Sequence, residues 1–207
     1  MSIKIISVKQ HPVDELIARM RRVPLFGNAN ALPYKDATIS LERIHTDFLA
    51  PAQHYVLQGN LERQRTLRLE LARHGVDLFG LNGFVEMEIE GEEKPIGLLP
   101  PVVEESIEAN GRIAHLICDG MHRVFLARLE WTIPQVVFVR GVPKESPYYA
   151  YPNIAGWDDV AVVSQLADDR GEKILKKWHR IENHKSLYRD FTGPFSNLSV
   201  SRGKGHA

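Results

Sequence analysis

Cysteine is almost missing from this sequence. Among 207 residues there is one, Cys118, so neither an internal disulfide framework nor a cysteine-based zinc cluster can form. No apolar run approaches the roughly 18 residues needed to cross a bilayer. The start, MSIKIISVKQHPVDEL, carries Lys4 and Lys9 and has no apolar core of a secretory signal. The expectation is a cytoplasmic chain without a membrane partner. An excess of one charge is also missing. Lys plus Arg and Asp plus Glu number 26 each, whereas a protein that lives on duplex DNA usually carries a basic surplus. DNA is therefore a disfavoured partner, although a local basic patch stays open. The nine histidines include no His-x-x-x-His pair, which argues against a dedicated zinc site. There is no internal repeat.

What is present reads as an ordinary folded chain: 43% apolar and 25% charged residues leave no case for disorder. The pattern predicts an α/β (α+β) fold in three stretches. Residues 1–36 form an N-terminal extension with a short helix over Asp14–Arg22, where Leu16, Ile17 and Met20 share a face. Residues 37–142 hold the core. A strand is expected over Ala37–Ile44, a proline-punctuated loop at Leu49–Gln53, and a helix from an Asn60 N-cap to His74, closed by Gly75. Arg63, Arg65, Arg68 and Arg73 on that helix read as a solvated face rather than a binding stripe. Phe84–Ile89 alternates as a strand. Ile96–Val103 is strand-like but interrupted by Pro100 and Pro101, which suggests a sheet edge. Ile113–Cys118, a break at Asp119-Gly120, a helix over Met121–Trp131 and a strand over Gln135–Arg140 make a compact unit. Residues 143–207 are expected to be a largely helical extension packing on the core, with helices over Asp158–Ala167 and Glu172–His184 and a frayed end, SVSRGKGHA.

The chemistry concentrates at Asp119-Gly120-Met121-His122-Arg123. A helix N-terminus exposes unpaired N–H groups at the positive end of the helix dipole. A glycine just ahead of it lets an anion approach the backbone. Gly120 stands at that point, and His122 and Arg123 lie in the first turn. Arginine offers a planar fork to phosphate oxygens, and histidine a further hydrogen bond. Asp119 has two readings: it caps the helix, or it holds a Mg2+ that bridges phosphates.

The run LICDGMHRVFLARLEWTIPQVVFV resembles the signature of the ParB/sulfiredoxin superfamily, in which a strand enters a Gly-x-His-Arg or Gly-Glu-Arg-Arg turn, then a helix and another strand. The upstream order, ATISLERI then LAPAQ then a helix, fits as well, so the resemblance covers about residues 37–142. It implies a small mixed sheet with helices. It also implies a nucleotide (ATP, ADP or CTP, with Mg2+ in play) whose phosphates sit on Gly120, Met121, His122 and Arg123. Sulfiredoxins carry their nucleophilic cysteine immediately before the His-Arg pair. Met121 stands there, and a thioether is no nucleophile of that kind. Cys118 reads as a small core residue. ParB partition proteins continue into a helix-turn-helix that the tail does not show, and His122 replaces their second arginine. The Asp-Gly-x-His-Arg form is most similar to that of free-serine kinases, where a glutamate after the first strand is the general base. Gln53 occupies that place and cannot accept a proton. His54 next door, or Glu62, would have to stand in.

Two functions stay open on this reading. One is a phosphotransferase acting on a small hydroxylated metabolite, with Asp119, His54 and Gln53 at the catalytic position. The other is a non-catalytic nucleotide-sensing or DNA-associated accessory protein. A nuclease finds no paired-carboxylate cluster to support it. Tyr148, Tyr149, Tyr151 and Trp157 suggest either a lid or packing on the sheet edge, and Lys173, Lys176, Lys177 and Arg180 either a nucleic-acid patch or a solvated helix face. Substrate identity and oligomeric state leave no mark on the sequence.

Overall fold

The structure, a computed structural model, describes residues 3–166 and 176–195. Three α-helices are present among these residues: α1 (Val13–Met20), α2 (Gln58–Arg73) and α3 (Met121–Leu129). Nine strands accompany them: β1 (Ile5–His11), β2 (Thr38–Arg43), β3 (Tyr55–Leu57), β4 (Phe84–Ile89), β5 (Ile96–Leu98), β6 (Val102–Ile107), β7 (Ile113–Asp119), β8 (Gln135–Arg140) and β9 (Ala161–Val163). The expected α/β class is the one observed.

The central sheet has the order β2-β8-β6-β7. β2 runs antiparallel to β8, β8 parallel to β6, and β6 antiparallel to β7. A second sheet, β1-β4-β5, is antiparallel throughout. β3 and β9 form a parallel two-stranded ribbon. The apolar run QVVFVR does not alternate because both faces of β8 are covered. Val136 and Phe138 join a core with Leu61 and Leu71 of α2 and Val124 and Leu126 of α3. Val137 and Val139 face a second core with Leu16 and Met20 of α1, Tyr34, and Phe191 and Phe195 from the tail.

Several local expectations are corrected. Pro100 and Pro101 do not sit within one edge strand. They separate β5, which is an edge strand, from β6, which lies inside the central sheet between β8 and β7. The proline break lets the chain change sheets. Asn60 is not an N-cap: β3 runs straight into α2, Leu57 is the cap residue, and no side chain of its own caps the helix. Gly75 ends α2 as expected, with φ +71°, its N–H on the Ala72 carbonyl and the Val76 N–H on the Leu71 carbonyl, each 3.0 Å. Ile5–His11, which carries no clear sequence signal, is a strand because β4 pairs with it antiparallel from Ile89 to Phe84, with one register shift between Ile5 and Ser7.

The tail differs most. Over Asp158–Ala167 the chain makes a 3-10 turn at Gly156–Asp159 and then β9, where the β-branched Val162 and Val163 pair with β3. Residues 176–180 run extended between two partners. The His54 N–H reaches the Lys176 carbonyl, and the Tyr151 N–H reaches the Trp178 carbonyl, both at 2.9 Å. A 3-10 turn follows at His184–Leu187. Backbone pairing with the core has overridden local helix preference here. Residues 167 and 172–175 of the two expected helices, and the SVSRGKGHA end, lie outside the described residues.

Candidate functional site

The site grows from the junction of β7 and α3. Gly120 takes φ +81° in that turn, the left-handed region that favours glycine. A Cβ there would stand 2.9 Å from both Cα and Cβ of Pro101. The Gly120 carbonyl then accepts the N–H of Arg123 at 2.9 Å and of Val124 at 3.0 Å, which starts α3. No side chain caps the helix. Of the two readings of Asp119, capping is therefore overturned: its Oδ2 faces Arg123 Nη2 at 3.4 Å.

Arg123 points inward. It is 5% exposed, its Nη1 donates to the Leu99 carbonyl, and burial pulls its pKa down while Asp119 opposes that shift. Its guanidinium thus ties α3 to the loop between β5 and β6. Met121 is buried in the core with α2 and makes no polar contact of the site.

His122 reaches the other way. Its Nε2 accepts the N–H of Leu57 at 3.1 Å and lies 3.5 Å from Asn60 Nδ2. A nitrogen that accepts from a backbone N–H carries no proton, so the ring is neutral with its hydrogen on Nδ1. Burial, with Lys176 nearby, holds its pKa down to about 4. His122 supplies the cap that α2 lacks, and the N-termini of α2 and α3 are joined through one side chain. Both bring unpaired N–H groups and dipole ends of the same sign.

Gln53 and His54 lie on the approach to β3. Gln53 is buried, donates from Nε2 to the Tyr55 carbonyl at 2.5 Å, and accepts Asn153 Nδ2 on its backbone oxygen at 3.1 Å. Its amide fixes the local backbone. The His54 ring stands edge-on to Trp178 at 6.1 Å, and its buried Nε2 has no hydrogen-bond partner among the described residues. Of the two, His54 alone keeps a ring nitrogen available. Glu62 is engaged by Gln58 one turn earlier on α2.

The tail adds residues that sequence reasoning places on a solvated helix face. Lys176 lies close enough to His122 to depress its basicity. Lys177 is buried and donates to the hydroxyls of Tyr148 at 2.7 Å and Tyr149 at 2.6 Å. Tyr148 in turn donates to the Cys118 carbonyl at 3.0 Å. The aromatic pair thus packs on β7. No sequence signal marks this, because an extended segment sends Lys176 and Lys177 to opposite sides, whereas the 3, 4, 7 spacing of residues 173, 176, 177 and 180 reads as one helix face. Cys118 is partly buried and packs against the second core; burial, then Glu104, pushes its thiol well up, away from the reactive thiolate.

Among the described residues no group of three or more His, Cys, Asp or Glu comes together as a metal site. Mg2+ is commonly held by one or two carboxylates plus phosphates. The lone Asp119 carboxylate fits a cation that arrives with phosphates rather than one held by protein alone.

The sequence model of the ParB CE domain matches residues 15–161, well over half of the chain. Comparison with curated proteins and with solved structures gives no match. The matched span runs from α1 through the β7–α3 turn to the first residue of β9. With the fold and turn described above, it places this chain in the ParB CE domain family.

Proposed function

We propose that this chain binds a nucleotide through its phosphates where the N-termini of α3 and α2 meet. The observation that carries this is the His122–Leu57 hydrogen bond, which brings the two helix starts together around one neutral imidazole. Phosphate oxygens accept from the first-turn N–H groups, and glycine at position 120 gives the turn the left-handed conformation that starts α3. Arg123 serves by fixing the turn against Leu99 rather than by gripping oxygens. Mg2+, arriving with the phosphates, would take Asp119 as a protein ligand and offset their charge. The zero net charge gives no support to duplex DNA as the ligand.

The catalytic version of this reading is phosphoryl transfer to a small hydroxylated metabolite, as the likeness of Asp-Gly-x-His-Arg to free-serine kinases suggests. Catalysis of that kind is mainly positioning and charge neutralisation. His54, with its unpartnered Nε2, is then the proton acceptor in place of Gln53. A nucleotide sensor without chemistry is the second reading. It is favoured by Gln53, whose amide is committed to the Tyr55 carbonyl.

Thermal melting with ATP, ADP and CTP, each with and without Mg2+, tests the binding claim through ligand linkage. At least one nucleotide should raise the melting temperature, and His122→Ala should lose that rise. No shift with any of the three refutes the site. Turnover is then assayed with a panel of hydroxylated metabolites. A product that disappears in His54→Ala, while nucleotide stabilisation persists, selects the phosphotransferase. Binding without product selects the sensor.

A further inference from the structure

Lys177 is a buried amine that neither the family match nor the turn motif includes. It is 8% exposed, and its Nζ sits 5.0 Å from the ring centre of Tyr148 and 4.6 Å from that of Tyr149. Its two hydrogen bonds go to the two hydroxyls. A neutral amine has two N–H groups, and both are used. Among the described residues the carboxylates of this region, Asp119 and Glu104, are engaged by Arg123 and Arg189. A charged ammonium here would be desolvated without a counterion, which is costly. Burial first, and then Lys176, brings the Lys177 pKa down to about 7, against the opposing pull of Cys118 and Asp119. His179 also faces it, its own basicity lowered by burial, His184 and Lys177.

The position matters as much as the burial. Through Tyr148 the amine lies two hydrogen bonds from the carbonyl of Cys118, the residue that precedes Asp119. The turn therefore has an inward-facing arginine and, beside it, an amine with no carboxylate partner among the described residues. We propose that Lys177 is the cation that neutralises a phosphate bound at the Asp119–Arg123 turn. This rests on the phosphate-binding reading above. The amine enters the complex as an ammonium, its added proton drawn from solvent. Linkage then requires affinity to fall as pH rises above neutrality, by up to about tenfold per pH unit while one proton is taken up.

Isothermal titration of the full chain tests this with the nucleotide that stabilises it most, and with inorganic pyrophosphate. Titrations are run at pH 8.0 to 8.5 in two buffers of different ionisation enthalpy. The terminal phosphate of a nucleotide is almost fully ionised there, so proton uptake reports on the protein. Wild type should take up close to one proton. Lys177→Met should bind more weakly and take up none. Lys177→Arg, always charged, should bind without uptake, and Lys176→Met should keep an uptake, reduced as far as the loss of its charge raises the Lys177 pKa. Binding by wild type without proton uptake overturns the proposal, and that measurement needs no variant to fold. Uptake that persists in Lys177→Met overturns it as well. Absence of binding by heat and by melting refutes the phosphate site itself, and Lys177 with it.

Discussion

Gly120 and His122 show how much of the site depends on single residues. At φ +81°, with Pro101 atoms 2.9 Å from where a Cβ would stand, Gly120 has neither the conformation nor the space for a side chain. Gly120→Ala should destabilise the fold by about 2 kcal/mol or more, from left-handed strain and the clash together. Urea denaturation measures this, and a change near zero would mean that Pro101 yields freely. His122 predicts an acid response. Its pKa is about 4 in the fold and about 6.5 when unfolded, so below 6.5 the unfolded chain binds a proton that the fold refuses. The stabilising contribution is complete above pH 6.5 and is lost as pH falls toward 4, at a slope approaching about 1.4 kcal/mol per pH unit. In His122→Gln that part of the pH dependence should vanish from stability curves taken between pH 4 and 7.

At the scale of elements, the tail is held to the core by an ion pair that hydropathy does not mark. Arg189 and Glu104 are almost wholly buried and joined by two hydrogen bonds of 2.9 Å, with the Tyr34 hydroxyl donating to the same carboxylate at 2.5 Å. Burial opposes the charge on Arg189, but Glu104 and Tyr34 outweigh it and hold its pKa above the usual range. The pair pins the stretch after His184–Leu187 onto β6, and Phe191 and Phe195 then reach the second core. Removing one partner leaves an uncompensated buried charge. Arg189→Ala should therefore lower stability by about 3–5 kcal/mol, with Arg189→Met combined with Glu104→Gln recovering much of the loss. Chemical denaturation of the three proteins decides it: a single variant as stable as wild type would mean that the tail docks through its phenylalanines alone.

Across the whole molecule, stability should follow the layering. β6 and β8 lie inside the central sheet with apolar cover on both faces, whereas β3 and β9 pair over only three residues, with β9 largely exposed. Native-state hydrogen exchange should be slowest at Val103, Glu104, Val137 and Phe138 and markedly faster at Ala161–Val163. Equal protection in the two places would show that the ribbon and tail unfold only with the core. A nucleotide bound between α2 and α3 should slow exchange at the ribbon most, since β3 leads directly into α2.

The sequence by itself determined the pieces whose physics is local. The strand Gln135–Arg140, the glycine ends of α2 and of β7, and the order strand, turn, helix, strand around Asp119–Arg123 all follow from short-range pattern and turn chemistry. The ParB-like character was legible for the same reason, because it resides in one contiguous run. Tertiary structure alone decided the rest. It turned Arg123 inward to Leu99, gave His122 to the start of α2, and moved residues 176–180 from an expected helix to an extended segment that buries Lys177. Each of these depends on a partner dozens of residues away, and neither helix period nor hydrophobic pattern carries information at that range.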